Sequence, residues 1–409
     1  MDLSKKANSI RIHSLYVTVF LFMSAWIPFF TLYLKKTLTG ADGQPILELI
    51  AIITAVLPLL ALFSNPLAGY IGDKFKIENR ILLLCAVFLV ISGIFISIPS
   101  LFLSNESMEL VTIFIFLGII INGLFIGPVT PILNTEAIEH LNDVGKDAAS
   151  FGKFRVSGSI SWIVSVSAIG LLIYITNNYI LIPIFFVFGA LLTAVFAIPG
   201  VRSKIKPVKI PWERLFNDRK FLLFLIFCFL QGFGLYSSMN FTSYFMDDLG
   251  LPVFFIGIAF SVAAIPEIPI MLLSKKIEIK MGSWLMVIIG TAVLLLKLFL
   301  LAWFAPYRNS FLIILSMGTH GIGFALQING MIGLVGKWAH KDLRATYLNL
   351  LGLVGISLAS AAGNFSSSIV IKYLGSTSMM WINASVTLLA ILFFIFFVRD
   401  KKSNNNEYR

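Results

Sequence analysis

Apolar residues fall along this chain in runs far longer than a soluble helix needs, with the polar residues gathered in short stretches between them. A helix that spans a bilayer needs roughly 20 mostly apolar residues, because the hydrocarbon is about 30 Å thick and every backbone polar group inside it must be paired within the segment. Such runs lie near 13–34, 47–71, 80–102, 109–133, 155–175, 179–200, 221–246, 252–274, 283–305, 311–335, 345–371 and 376–398. The pattern predicts twelve transmembrane helices. The run after "MDLSKKANSIRIH" is too long for the apolar core of a signal peptide, and no small-residue cleavage site follows it, so it is expected as a retained first helix.

Composition agrees. Of the 409 residues, 58% are hydrophobic and 12% charged, with a mean hydropathy of +0.92. A soluble domain averages about 45–50% apolar and about 25% charged residues. The expected class is an all-α integral membrane protein. Cys85 and Cys228 each sit inside an apolar run, which argues against a disulfide.

Charge placement adds an orientation. A net charge of +11 would suit nucleic acid, but no basic, aromatic-bearing domain is present to hold one, and that partner is excluded. Lys35, Lys36, Arg308 and Lys372 lie in loops opposite the N-terminus, and Arg155 and Lys297 lie at membrane depth. Every other Lys and Arg falls on the N-terminus, on a loop sharing its side, or on the C-terminal tail. This asymmetry predicts a multi-pass plasma (inner) membrane protein with both termini cytoplasmic.

The longest loop is "VRSKIKPVKIPWERLFNDRK", whose basic residues outnumber Glu213 and Asp218. It divides the chain into an N-terminal six-helix bundle (1–200), a basic cytoplasmic linker (201–220), and a C-terminal six-helix bundle with a short cytoplasmic tail (221–409). Two pseudo-symmetric bundles around a midplane site are the plan of a secondary transporter. After the second run, "NPLAGYIGDKFKIENR" places Gly69, Asp73 and Lys74 in the spacing G-x-x-x-D-K. That spacing resembles the signature of the major facilitator superfamily, where it implies a cytoplasmic gate. Gly69 permits close helix approach, and Asp73 can meet a helix N-terminus or a basic partner. Lys76 stands where a second glycine is expected, and "LLSKKIEIKMGS" is a more degenerate counterpart in the other half.

One stretch carries a narrower resemblance. "SFGKFRVSGSISWI", with Phe151, Gly152, Arg155, Gly158 and Trp162, is similar to the fifth helix of the branch containing lactose permease, nucleoside–proton symporters and 3-phenylpropionate permease. Helical spacing puts Arg155, Ser159 and Trp162 on one face, offering a fork of donors and a flat ring to a solute. The same resemblance places Glu267 at a functional carboxylate of the eighth helix, Lys297 at a cation of the ninth and His320 at a histidine of the tenth. It implies proton coupling through Glu267 and His320, with Arg155, Trp162 and Lys297 holding substrate.

The chain also departs from that branch. Lactose permease has a further carboxylate where Gly323 stands, and Asn134 occupies the place of a fourth-helix acid, with Glu136 about 200° around an ideal helix from it. Lysine at 297 lacks the planar fork of arginine. Lactose is therefore not the expected substrate.

The stretch "AAIPEIPIM" supports Glu267 independently. Glu267 is the one charged residue between Asp248 and Lys275, and it lies between Pro266 and Pro269. Prolines loosen a helix and free carbonyls that belong beside a cavity, while a lone carboxylate in hydrocarbon is costly unless partnered. Lys297 and His320 are the expected partners. Gln231, Tyr236 and Asn240 on the seventh helix are candidates to line the cavity, although helix-packing hydrogen bonds account for them equally well. Trp26 reads as packing or lipid-facing, and His13, His140 and His340 as interface residues.

No metal spacing, phosphate loop or nucleophile–His–acid set is present, so neither an enzyme nor a cofactor is expected. The leading expectation is a monomeric, proton-coupled symporter of a small organic solute, a glycoside, nucleoside or aromatic acid. A drug-type exporter on the same fold, and a non-transporting membrane sensor or lipid-handling protein, are the alternatives.

Overall fold

The computed structural model describes residues 3–75, 78–102, 107–145, 151–198, 218–339 and 344–398. The first half holds α1 (Leu3–Thr37), α2 (Leu47–Phe75), α3 (Glu78–Phe102), α4 (Met108–Ile126), α5 (Val129–Asp143), α6 (Phe151–Thr176) and α7 (Leu181–Ala197). The second half holds α8 (Arg219–Asp248), α9 (Val253–Ala264), α10 (Glu267–Phe304), α11 (Ser310–Trp338), α12 (Arg344–Gly352), a π-helical stretch (Leu353–Leu358), α13 (Ala359–Leu374) and α14 (Ser376–Phe397). Among the described residues, 10 helical stretches are long and apolar enough to cross a membrane, and Leu181–Ala197 is a shorter apolar helix.

One of those stretches, Val253–Tyr307, runs for 55 residues. A straight helix of that length would extend about 80 Å, against about 30 Å of hydrocarbon. It does not stay straight, because Gly282 has φ 79° and ψ 152°. Contacts with α11 fix the consequence. Glu267, Met271 and Glu278 lie beside Gly321, Asn329 and Gly333, in parallel order. Leu294, Gly290 and Ser283 lie beside Gly323, Gln327 and Gly330, in antiparallel order. The chain therefore reverses at Gly282 and makes two passes, corresponding to the eighth and ninth apolar runs.

Two run boundaries differ from expectation. The fourth run does not end near 133 but continues to Asp143, across a break where Pro128, which lacks an N–H, caps α5. Hydropathy falls there because α5 is polar on one side, and Arg11 of α1 pairs with its buried Glu136. The helix before the reversal likewise continues through Lys275, Lys276 and Lys280 rather than ending in a loop.

α1 begins and α14 ends on the same face of the molecule, here the terminal face. Arg11 donates to the Phe196 carbonyl at the end of α7, and the Trp284 indole donates to the Val398 carbonyl. α8 runs antiparallel to α14, with Phe224 and Phe227 against Phe394 and Gly234 beside Asn383 and Thr387. The opposite, far face is where the two halves are fastened. Lys35 bonds Asp247 (2.6 Å) and Asp248, Lys36 bonds Asp247, and Lys372 pairs with Glu48. Deeper in, Thr31 donates to the Asn240 carbonyl at 2.5 Å, and the Ser167 and Ser261 hydroxyls meet at 2.7 Å. Asn364 donates to the Thr54 carbonyl at 2.8 Å. α6 and α9 cross where a Cβ on Gly257 would stand 2.5 Å from the Val166 carbonyl oxygen, so a small residue is required. Every hydrogen bond and ion pair between the halves described here lies toward the far face, and the far face is closed.

Candidate functional site

Glu267 opens α10 at a built break. α9 ends at Ala264, Pro266 caps the next helix, and Pro269 sits in its first turn, where a missing N–H costs little. α11 closes on this break at Gly321, where an added Cβ would stand 2.4 Å from the Ala263 oxygen and 2.8 Å from the Glu267 nitrogen. The carboxylate is half-buried and at a helix N-terminus, where the free N–H groups and the dipole favour negative charge.

The cation coupled to Glu267 is Arg155, reaching across from the other half. This corrects the expected partnership with Lys297 and His320. Lys297 continues the stripe of Gly290 and Leu294 that faces α11, and its charge is felt by His320 instead. The break sends Glu267 toward α6, while Lys297 remains enclosed behind α11 at 0% exposure. Neither Lys297 Nζ nor His320 Nδ1 has a hydrogen-bond partner among the described residues.

Arg155 is held from α1. Its guanidinium lies 4.5 Å above the Phe20 ring, an arrangement that holds the cation by its attraction to the ring face. Phe20 fits there because of Gly158, whose Cβ would stand 2.7 Å from that ring. One guanidinium nitrogen, Nη1, is buried with no hydrogen-bond partner among the described residues. A turn before Phe20, Tyr16 lies within the field of Arg155, and its hydroxyl donates to Asn134 at 2.7 Å. Asn134 thus joins the Arg155 cluster, whereas Glu136 is committed to Arg11. The donor face expected of Arg155, Ser159 and Trp162 is incomplete. Ser159 returns its hydroxyl to the Arg155 carbonyl at 3.4 Å, and Trp162 is partly buried against the core.

A cavity of about 250 Å³ lies in the second half, lined by Gln231, Tyr236, Phe324, Gln327, Met331 and Leu351 among others. Gln231 and Tyr236 both border it. Gln327 and Phe324, on the glycine-rich helix that carries His320, are lining residues that sequence reasoning missed, as is Thr291 of α10, which bonds Gln327. Gln231 donates to Gln327 at 2.9 Å, and Gln327 donates to Thr291 at 2.9 Å, which orients both amides. Asn240 is not among the cavity's lining residues. Its amide donates to Asn364 at 3.1 Å, within the far-face closure, because α8 has by then run past the cavity toward Asp247. Gly69, Asp73 and Lys74 fall in the last turns of α2, and their side chains lie outside the described ones, as does Lys76 entirely.

The chain has relatives among known proteins. The chain matches the MFS_1 like family over residues 9–382. It is 22% identical over 378 residues to the uncharacterized transporter YwbF of Bacillus subtilis (strain 168), covering 91% of this chain and 89% of that one. The solved structure of the nucleoside transporter NupG matches with a TM-score of 0.78 and 18% identity, over 96% of this chain and 100% of that one. A D-xylose-proton symporter matches with a TM-score of 0.75 and 15% identity, over 96% and 98%. At such identity the structural likeness carries the fold alone, and the family match carries membership. With helices that span a membrane and relatives that are transporters rather than enzymes, this chain belongs to the MFS_1-like family and is a multi-pass transporter of the major facilitator superfamily.

Proposed function

We propose that the protein is a proton-coupled symporter that imports a small organic solute, a glycoside, nucleoside or aromatic acid, by alternating access. The observation that carries this reading is Glu267, an acid at a built helix break, whose counter-charge Arg155 belongs to the other half. A protonation event at Glu267 alters an attraction between the two bundles, so it can bias which face is open. The basic terminal face belongs in the cytoplasm, and the described conformation is then closed to the outside. Gln231, Tyr236 and Gln327 offer amides, a hydroxyl and a ring to the solute, and Arg155 a free donor. Trp162 supplies further ring surface, and Gly69, Asp73 and Lys74 the gate at the cytoplasmic end. The substrates of the fold neighbours, a nucleoside and D-xylose, agree with such a hydrogen-bonding, partly aromatic site.

Proteoliposomes test the coupling role. Glu267→Gln mimics the protonated acid, so exchange of solute across the membrane should persist while uphill accumulation driven by a pH gradient disappears. If Glu267 only balances Arg155, Glu267→Gln will weaken exchange and accumulation alike. A Glu267→Gln protein that still concentrates solute under a proton gradient removes Glu267 from the coupling.

A further inference from the structure

Lys297 is the fully buried charge that the proposed coupling does not use. It is 0% exposed, its Nζ has no hydrogen-bond partner, and no carboxylate pairs with it among the described residues. Burying an unpaired ammonium in a membrane protein is expensive, and such groups belong to the transport pathway by default. The other intramembrane charges cancel, since Arg155 and Glu267 face one another across the halves. One positive charge is left over.

That charge lies close behind the cavity wall. Lys297 acts on His320, and the His320 ring stacks on Phe324 with centroids 5.8 Å apart and planes 12° from parallel. Phe324 in turn lines the cavity with Gln231, Tyr236 and Gln327, and no residue of that lining is charged. While Lys297 is protonated, a neutral wall backed by that uncompensated cation gives the cavity a positive potential, strengthened by its low-dielectric surroundings, and an anion in the cavity favours the protonated form.

Resting on the transporter reading above, we propose that the solute is a carboxylate-bearing anion, selected by the field of Lys297 behind the Phe324–His320 wall. The carboxylate completes the charge balance that the protein leaves open, and it need not touch Lys297 to do so. A unit positive charge acting through a low-dielectric wall is worth roughly ten-fold in affinity for an anion. Lys297 is then a specificity-determining residue that acts through space. Neutral sugars and nucleosides bind the same amides without that gain.

Matched pairs of probes test this by thermal shift of the purified protein: benzoate against benzamide, and galacturonate against galactose. The acid of at least one pair should stabilise the wild type with an apparent Kd roughly ten-fold below that of its neutral partner. Lys297→Met keeps the length of the side chain and removes the buried charge. Its ligand-free melting temperature should rise, because an uncompensated cation has gone, while the preference of acid over neutral partner should collapse toward one. Lys297→Arg, which keeps the charge, should retain the preference. An equal response to both members of each pair, no response to either acid, or a preference that survives Lys297→Met would overturn the proposal. This is a binding measurement without a proton gradient. A failure here leaves the coupling role of Glu267 standing, and a failure of Glu267→Gln leaves this preference measurable.

Discussion

Gly321 holds Glu267, the proposed coupling acid, in place by what it lacks. The Ala263 oxygen and the Glu267 nitrogen, 2.4 and 2.8 Å from where its Cβ would be, are backbone atoms and cannot swing aside. A methyl group there must push α11 off the break and carry His320 with it. Overpacking of this kind costs about 1–3 kcal/mol. Gly321→Ala should therefore lower the melting temperature and cut uptake strongly. Gly336→Ala, on the same helix with nothing within 4 Å of its new Cβ, should do neither. Indistinguishable melting of the two variants would detach α11 from Glu267. At this scale the sequence is legible where the signal is local. A single acid between two prolines in an apolar run marks Glu267 as a candidate without any structure. Its partner is not local. Lys297 is the nearer cation along the chain, and only the opposition of α6 to the α9–α10 break brings Arg155 forward instead. Ser159 and Asn240 fail for a related reason, since spacing assigns a residue to a face but does not say which acceptor its side chain finds first.

At the scale of elements, run length was enough to place the passes, because the hydrocarbon sets a minimum that these helices must meet. Their ends were less legible. Polar residues stop a hydropathy run but need not stop a helix, so α5 and the first leg of α10 outlast their apolar stretches. The reversal between the two legs of α10 rests on Gly282, whose φ of 79° and ψ of 152° belong to a region that only glycine occupies readily. A side chain held there stores about 1–3 kcal/mol of strain. Gly282→Ala should lower the melting temperature by an amount matching that strain. The solute affinity of the variant that does fold should stay near wild type, because the turn lies at the terminal end of both legs and the cavity lies deeper. A Gly282→Ala protein that melts like the parent would mean that this reversal relaxes at no cost.

For the whole molecule, the decisive feature is the asymmetry between the two faces. The far face is joined by Lys35, Lys36 and Lys372 to their acids, and by the crossing of α6 and α9 where Ser167 and Ser261 meet at 2.7 Å. The exposed Lys36 and Lys372 pairs contribute little each, so the half-buried Lys35–Asp247 pair and the tight glycine crossing beneath it, with Gly170 and Gly257 in contact, are the stronger parts of the seal. Alternating access requires that seal to part in every cycle, since solute from the far side has no other described route to the Gln231 cavity. Cysteines at Ser167 and Ser261 put this to a direct test. Their hydroxyls already lie in contact, and thiols in their places need close only to about 2 Å to form a disulfide. The native Cys85 and Cys228 are buried and do not compete. In proteoliposomes carrying Ser167→Cys with Ser261→Cys, oxidation should stop net uptake and exchange alike, and reduction should restore both. Each single variant should ignore the oxidant. Binding of solute from the terminal side should survive in the cross-linked protein, because the cross-link lies toward the far face. Uptake that continues after complete cross-linking would show that α6 and α9 move as one body, and that the far face opens elsewhere.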